Sequence, residues 1–351
     1  MDEIGLIQVG AGVWGTSWAA KIAAMPGVRL DAVVDVQEEA ARSIAEESGL
    51  GSDRAFASLT DALASTDAAG VVVVSPPPTH TPLALEAIAA GKHVLIEKPL
   101  AQSVADARRV VDAARSAGIQ AMVSQNYRFK RGPRTVQRLI RSGVIGRVEQ
   151  VTIAYRKNPP FFGFRAEMEE PLLIDMSIHH LDALRGIVGV EPATVRARSW
   201  NPSWSIFTSN SAALVEIEGT RGEQVLYTGS WSSHGAHTSW DGAWQIEGER
   251  GGIVWDQNRV TVHFPSAFDT VFMPGALERD GVMEVDLDQL EHEERAGTLN
   301  EFRRAIVEGT PAETSVDDNL ASISLVLAAV ESARGGGTTI ALANAEKGNQ
   351  S

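Results

Sequence analysis

Three stretches of this 351-residue chain hold residue types that can do chemistry, at spacings that let them act together. The first is Gly10-Ala11-Gly12-Val13-Trp14-Gly15, directly after an apolar run at 4–9 and before a helical pattern reaching about Ala24. In such a turn one glycine makes the bend, one lets a pyrophosphate approach the backbone, and one lets helix and strand pack closely. The helix N-terminus adds unpaired N–H groups and the positive end of its dipole. Asp35 ends the next strand pattern, 30–34, about 20 residues past Gly15, where a carboxylate can bind ribose hydroxyls. That carboxylate repels a 2′-phosphate, and Val36-Gln37 bring no arginine to accept one, which favours NAD over NADP.

The second stretch is Glu97-Lys98-Pro99. Four consecutive valines at 71–74 suit a strand buried on both faces, and Ser75-Pro76-Pro77-Pro78 ends it. A helix of about ten residues follows, stopped by Gly91, and a second apolar strand at 94–96 leads into Glu97. Strand, crossover helix and strand make two parallel neighbours joined right-handedly. Both carry their polar residues at the carboxyl end, where open α/β sheets bind ligands.

The third stretch is 171–188, read as a mostly buried helix with one polar stripe of Asp175, His179, Asp182 and Gly186. Asp175 and His179 are four apart and therefore neighbours on that stripe. A buried carboxylate must be paired or face a cavity. The pair either serves a substrate or closes a helix face structurally.

These stretches need a scaffold. At this length two domains are expected, divided as 1–125 and 126–351. The first alternates strand and helix: helices at 38–47, 58–64 and 103–117, a weak strand near Arg54, and a sixth strand at 120–124. That is the doubly wound parallel pattern of a Rossmann domain. The second begins with a helix at 132–142. Strands follow at 148–155, 194–199, 212–217, 224–230, 244–246, 252–256 and 259–263, which indicates an α/β domain with a large, mostly antiparallel open sheet. The tail after Ala341 is expected to fray.

Composition narrows the function. A formal charge of -14 argues against a nucleic-acid or anionic-membrane partner. No cysteine is present, which removes disulfides, thiol nucleophiles and thiolate metal sites. The N-terminus lacks a basic start and a cleavage site, and no apolar run could span a bilayer, so a cytoplasmic enzyme or binding protein is expected.

The glycine turn, Asp35, Ser75-Pro76-Pro77-Pro78-Thr79-His80, the run from Ala90 to Pro99 and Gln125-Asn126-Tyr127-Arg128-Phe129 resemble the glucose-fructose oxidoreductase, inositol dehydrogenase and MocA family. The resemblance implies NAD(P)-dependent oxidation or reduction of sugars, inositols and related polyols. It implies that Gly10, Gly12, Val13, Trp14, Gly15, Asp35 and Val36 hold the cofactor. It places Ser75, Pro76, Pro77, His80, Glu97, Lys98 and Gln125 on the nicotinamide side, although a helix-cap role suits His80 as well. It makes Lys98, Asp175 and His179 the catalytic group: His179 takes the hydroxyl proton, Asp175 orients the ring, and Lys98 bonds the reacting oxygen. No metal is called for, since the lysine would compete with one. A homodimer or homotetramer paired through the open sheet face is also implied. Glu170-Pro171 stands where relatives carry Gly-Gly.

Tyr127, Arg128, Tyr155, Arg156 and Arg165 are candidate donors to substrate hydroxyls. Trp231 and His234 are candidates to line a sugar pocket, with exposed loop positions the plainer reading for His234 and His237; His180 is expected to pack internally. Two further readings stay open: a redox-neutral lyase or glycoside hydrolase that uses bound NAD, and a non-enzymatic NAD-binding sensor.

Overall fold

The computed structural model describes residues 3–264 and 281–342, and the tail expected to fray lies outside them. The chain divides into two compact units: residues up to Phe129 with Glu291–Ile323, and Lys130–Leu290 with the residues from Ser324 onward.

The first unit holds a six-stranded sheet in the order β3-β2-β1-β4-β5-β6, every neighbouring pair parallel. Its strands are β1 (Ile4–Val9), β2 (Val28–Val34), β3 (Ala55–Phe56), β4 (Gly70–Val73), β5 (His93–Ile96) and β6 (Ala121–Val123). Crossovers run through α1 (Val13–Ala24), α2 (Glu38–Glu47), α3 (Leu59–Ser65), α4 (His80–Ala89) and α5 (Val104–Ala117). β1, β4 and the apolar part of β5 are wholly buried, as strands covered by helices on both faces must be. The strand order reverses between β1 and β4, so the crevice at their carboxyl ends is the ligand position of this architecture.

The second unit is built on a nine-stranded sheet, β14-β13-β12-β11-β7-β10-β9-β8-β15. The strands are β7 (Val148–Arg156), β8 (Pro192–Trp200), β9 (Ala212–Gly219), β10 (Gln224–Ser230), β11 (Ala243–Gly248), β12 (Gly251–Asp256), β13 (Arg259–Phe264), β14 (Gly281–Val285) and β15 (Ile340–Ala341). Every pairing is antiparallel except β7 with β10. Period-2 alternation buries one face, as Val215, Ile217, Val225, Tyr227, Trp244 and Ile246 show. The other face carries Glu216, Glu218, Gln224, Gln245 and Glu247, all exposed. On β7, β9, β10 and β11 the one exposed large hydrophobic side chain is Leu226. On these four strands the open face is therefore mostly polar, whereas exposed apolar side chains stand on the outer strands at Trp200, Val282 and Met283.

Helix α6 (Arg131–Arg141) opens the second unit, and residues 172–188 form a continuous helical rod. The centre of that rod, α7 (Ser177–Ala183), is α-helical, but Leu172–Met176 and Leu184–Val188 are wider π turns rather than the uniform α-helix the spacing suggested.

Two C-terminal helices, α8 (Glu294–Glu308) and α9 (Val316–Arg334), had no counterpart in the sequence reading. Leu299, Phe302 and Ala305 of α8 join Leu6, Trp18, Ile22, Leu95 and Met122 in one core. Residues 291–323 thus pack with the first unit, and the units are not the two consecutive blocks 1–125 and 126–351. Among the described residues no helix is long and apolar enough to cross a membrane.

Candidate active site

In the first unit the glycine turn has the shape its chemistry requires. Gly10 has a φ of +112°, and an added Cβ would lie 2.8 Å from the Val74 carbonyl carbon, so only glycine fits. An added Cβ on Gly15 would collide with the Gly10 carbonyl oxygen, which lets α1 pack directly on the turn. Gly12 is different. It caps α1 without a side-chain bond, and nothing lies within 4 Å of where its Cβ would be. That open space above uncapped N–H groups, with no acidic residue in the first turn, fits a pyrophosphate.

Asp35 is half-buried at the end of β2 and accepts from Ala11 N (2.7 Å) and Gln37 N (2.9 Å). The carboxylate therefore also braces the glycine turn, with further lone pairs left for ribose hydroxyls. Val36 is exposed beside it. At the end of β6, Gln125 is 1% exposed and neither of its amide atoms has a hydrogen-bond partner among the described residues. A buried amide in that state is stabilised by any ligand that can satisfy it.

Glu97 and Lys98 sit half-buried at the carboxyl end of β5. Trp18 Nε1 donates to Glu97 Oε1 at 2.8 Å, and Lys98 N donates to Oε2 at 3.1 Å. Trp18 is fully buried on α1, so the glycine-turn helix holds the glutamate in place. Sequence reasoning missed Trp18; its place three residues past Gly15 on a buried helix face was the available signal. The Lys98-Pro99 peptide is cis.

His80 does not present a free ring edge to a cofactor. It is 1% exposed, with Nδ1 2.7 Å from the Pro99 carbonyl oxygen and Nε2 2.8 Å from that of Ser75. It clasps the Ser75-Pro76-Pro77 turn to the Lys98 loop, and burial holds its pKa below the usual histidine value. Arg128 is likewise no substrate donor: it is 2% exposed, with Nη2 2.6 Å from Asp318 and Nη1 3.4 Å from the Glu313 carbonyl oxygen. Tyr127 is half-buried.

In the second unit Arg165 Nε donates to Asp175 Oδ2 at 2.9 Å. The guanidinium also lies 5.5 Å and 5.0 Å from the ring centres of Phe161 and Phe164. This partly buried pair fixes the Asp175 carboxylate on the rod that carries His179, which is 8% exposed. Ahead of the rod, Glu170 has the left-handed φ of 47° that a glycine supplies without strain. Bonds from Ser199 Oγ (2.9 Å) and Asn210 Nδ2 (2.7 Å) to its Oε1 hold it there.

Tyr155 and Trp231 are core rather than pocket. Both are almost fully buried, and Trp231 Nε1 donates to Tyr155 Oη at 2.7 Å. His180 lies against Tyr155 and Tyr227, with Nε2 donating to the Trp240 carbonyl oxygen at 3.0 Å; burial pushes its pKa down to about 4. Arg156 is exposed. His234 is exposed too, but it stacks on Trp204 at 5.0 Å, an aromatic partner the sequence reading did not single out.

Residues 4–125 match the family described as "Oxidoreductase family, NAD-binding Rossmann fold", and residues 134–254 match the GFO/IDH/MocA C-terminal domain. A 1,5-anhydro-D-fructose reductase of Ensifer adhaerens is 27% identical over 342 residues, 96% of this chain and 97% of its own. An inositol 2-dehydrogenase of Rubrobacter xylanophilus is 31% identical over 231 residues, 62% of this chain and 65% of its own. An oxidoreductase from Agrobacterium radiobacter, solved with NAD+, L-tartaric acid and magnesium, superposes with a TM-score of 0.84 at 23% identity, covering 97% of this chain and 98% of its own.

Proposed function

Because the chain belongs to the Gfo/Idh/MocA family of NAD-binding oxidoreductases, we propose that it moves hydride between a secondary alcohol of a sugar, glycoside or inositol and the nicotinamide of NAD. The observation that carries this reading is the Glu97-Lys98 pair at the carboxyl edge of β5, one strand from the reversal in strand order, with Glu97 fixed by Trp18. The named relatives, an anhydrofructose reductase and an inositol dehydrogenase, support the substrate class.

NAD supplies the hydride acceptor. Gly10, Gly12 and the N-terminal N–H groups of α1 would hold its pyrophosphate, and Asp35 its adenosine ribose. Lys98 hydrogen-bonds the reacting oxygen and stabilises the negative charge that grows there. His179 takes the hydroxyl proton as the C–H hydride leaves, so one proton and one hydride depart from the alcohol and a carbonyl remains. Asp175, held by Arg165, orients the imidazole and favours its protonated form. Asp35 makes NAD the preferred dinucleotide, at least roughly tenfold over NADP.

A panel of sugars, glycosides and inositols assayed for NADH formation tests the reading. At least one member is expected to reduce NAD, and to do so better than NADP. Binding of NAD without turnover of any member would remove the dehydrogenase assignment.

A further inference from the structure

Arg295 opens α8, nearly three hundred residues from the glycine turn in sequence, yet its guanidinium carbon lies 4.3 Å from the centre of the Trp14 ring. Its Nη1 is buried and has no hydrogen-bond partner among the described residues. Burial lowers its pKa, and the nearby charges of Glu97 and Glu294 oppose that shift. A guanidinium remains protonated in proteins, so this side chain is a half-buried cation beside the glycine turn, with its charge unmatched at the buried Nη1.

What lies beside it lacks a cation. The turn and the first turn of α1 offer a pyrophosphate backbone N–H groups and the Thr16 hydroxyl but no cation, and the basic residue of α1, Lys21, stands in its last turn. A pyrophosphate diester carries two negative charges, for which a planar guanidinium donor is the matching partner. Stacking on Trp14 fixes the guanidinium plane before any ligand arrives, so little side-chain freedom is lost on binding.

We infer that Arg295 is a cofactor-binding residue, whose guanidinium donates to the NAD pyrophosphate while its face stays on Trp14. The inference goes beyond the proposed reaction and needs only the NAD-binding fold, since no substrate is involved.

Titration calorimetry with NAD and with ADP-ribose, on the parent and on Arg295→Gln, tests it. ADP-ribose keeps the pyrophosphate and lacks the nicotinamide. Both dissociation constants should rise by roughly tenfold or more, and by similar factors, with Tm unchanged. Unchanged ADP-ribose affinity overturns the inference, and so does a loss confined to NAD, which would place Arg295 at the nicotinamide. Should Arg295→Gln lower Tm, Arg295→Lys decides: recovered ADP-ribose affinity supports the contact, and affinity as poor as that of Gln overturns it. A parent that bound neither ligand would undo the cofactor assignment itself, whereas an effect missing only in the variant undoes this inference alone.

Discussion

Lys98 follows Glu97 and three fully buried strand residues at the carboxyl end of β5, one strand from where the order reverses, so its backbone is rigidly held. If it stabilises charge on the reacting oxygen, Lys98→Ala removes an interaction stronger in the transition state than in the ground state. Single-turnover NADH formation should fall by roughly 100-fold or more, with NAD affinity little changed. A variant that keeps its full rate would end the proposed role, and one that no longer bound NAD would make Lys98 a cofactor anchor. His180 acts on stability. Its folded pKa, about 4, lies below the ordinary 6.5, so the unfolded chain binds the proton more readily. Its contribution is present above pH 6.5 and is lost as pH falls towards 4. His80, also depressed by burial, acts with the same sign. Tm should therefore drop over that window, and less steeply in His180→Gln than in the parent. Parallel Tm profiles for the two proteins would show that His180 does not titrate in this way.

Glycines 12 and 15 lie three residues apart at the start of α1, and the element they open distinguishes them. A methyl at Gly12 meets nothing within 4 Å in the protein but occupies the space above the helix N-terminus. Gly12→Ala should keep its Tm while NAD affinity falls by roughly tenfold or more. A methyl at Gly15 meets the Gly10 carbonyl, so Gly15→Ala should lower Tm as well. Calorimetry and thermal melts on the same two variants check the contrast, and equal losses of stability would refute it. The rod 172–188 shows a second element-level effect. Its π turns change the angular spacing of Asp175 and His179 from the uniform α-helical value, and π turns are frequent at functional sites.

At the scale of the molecule, Glu216, Glu218, Gln224, Leu226 and Gln245 are exposed on one face of the nine-stranded sheet among the described residues. That face is too polar for apolar burial alone to drive association. If copies pair through it as the resemblance implies, hydrogen bonds and packing around Leu226 must outweigh the repulsion of facing carboxylates. A symmetric dimer or tetramer is the expected outcome, and added salt, by screening the facing carboxylates, should not weaken it. Light scattering that gave a monomer at micromolar concentration would remove this expectation.

Local pattern was enough for much of the chain. The strands β1 and β2, the glycine turn, Asp35, and the strand–helix–strand unit ending at Glu97-Lys98 were legible because period, β-branching and turn chemistry are properties of neighbouring residues. The same held for most strands of the second sheet, whose alternation survives in their burial. Partnership between distant residues was not legible. Tyr155, Trp231 and Arg128 have the composition of binding residues, yet each is consumed by a neighbour far away in sequence: Trp231 bonds Tyr155, and Asp318 takes Arg128. His80 reads as a ligand until two main-chain carbonyls are seen against its ring. α8 has an apolar face, but no local feature says that Phe302 fills the core beside Trp18 or that Arg295 comes to rest on Trp14. A helix pattern records that one face must be buried. Which surface buries it is decided only when the whole chain packs, since dispersion and hydrophobic burial carry no sequence address.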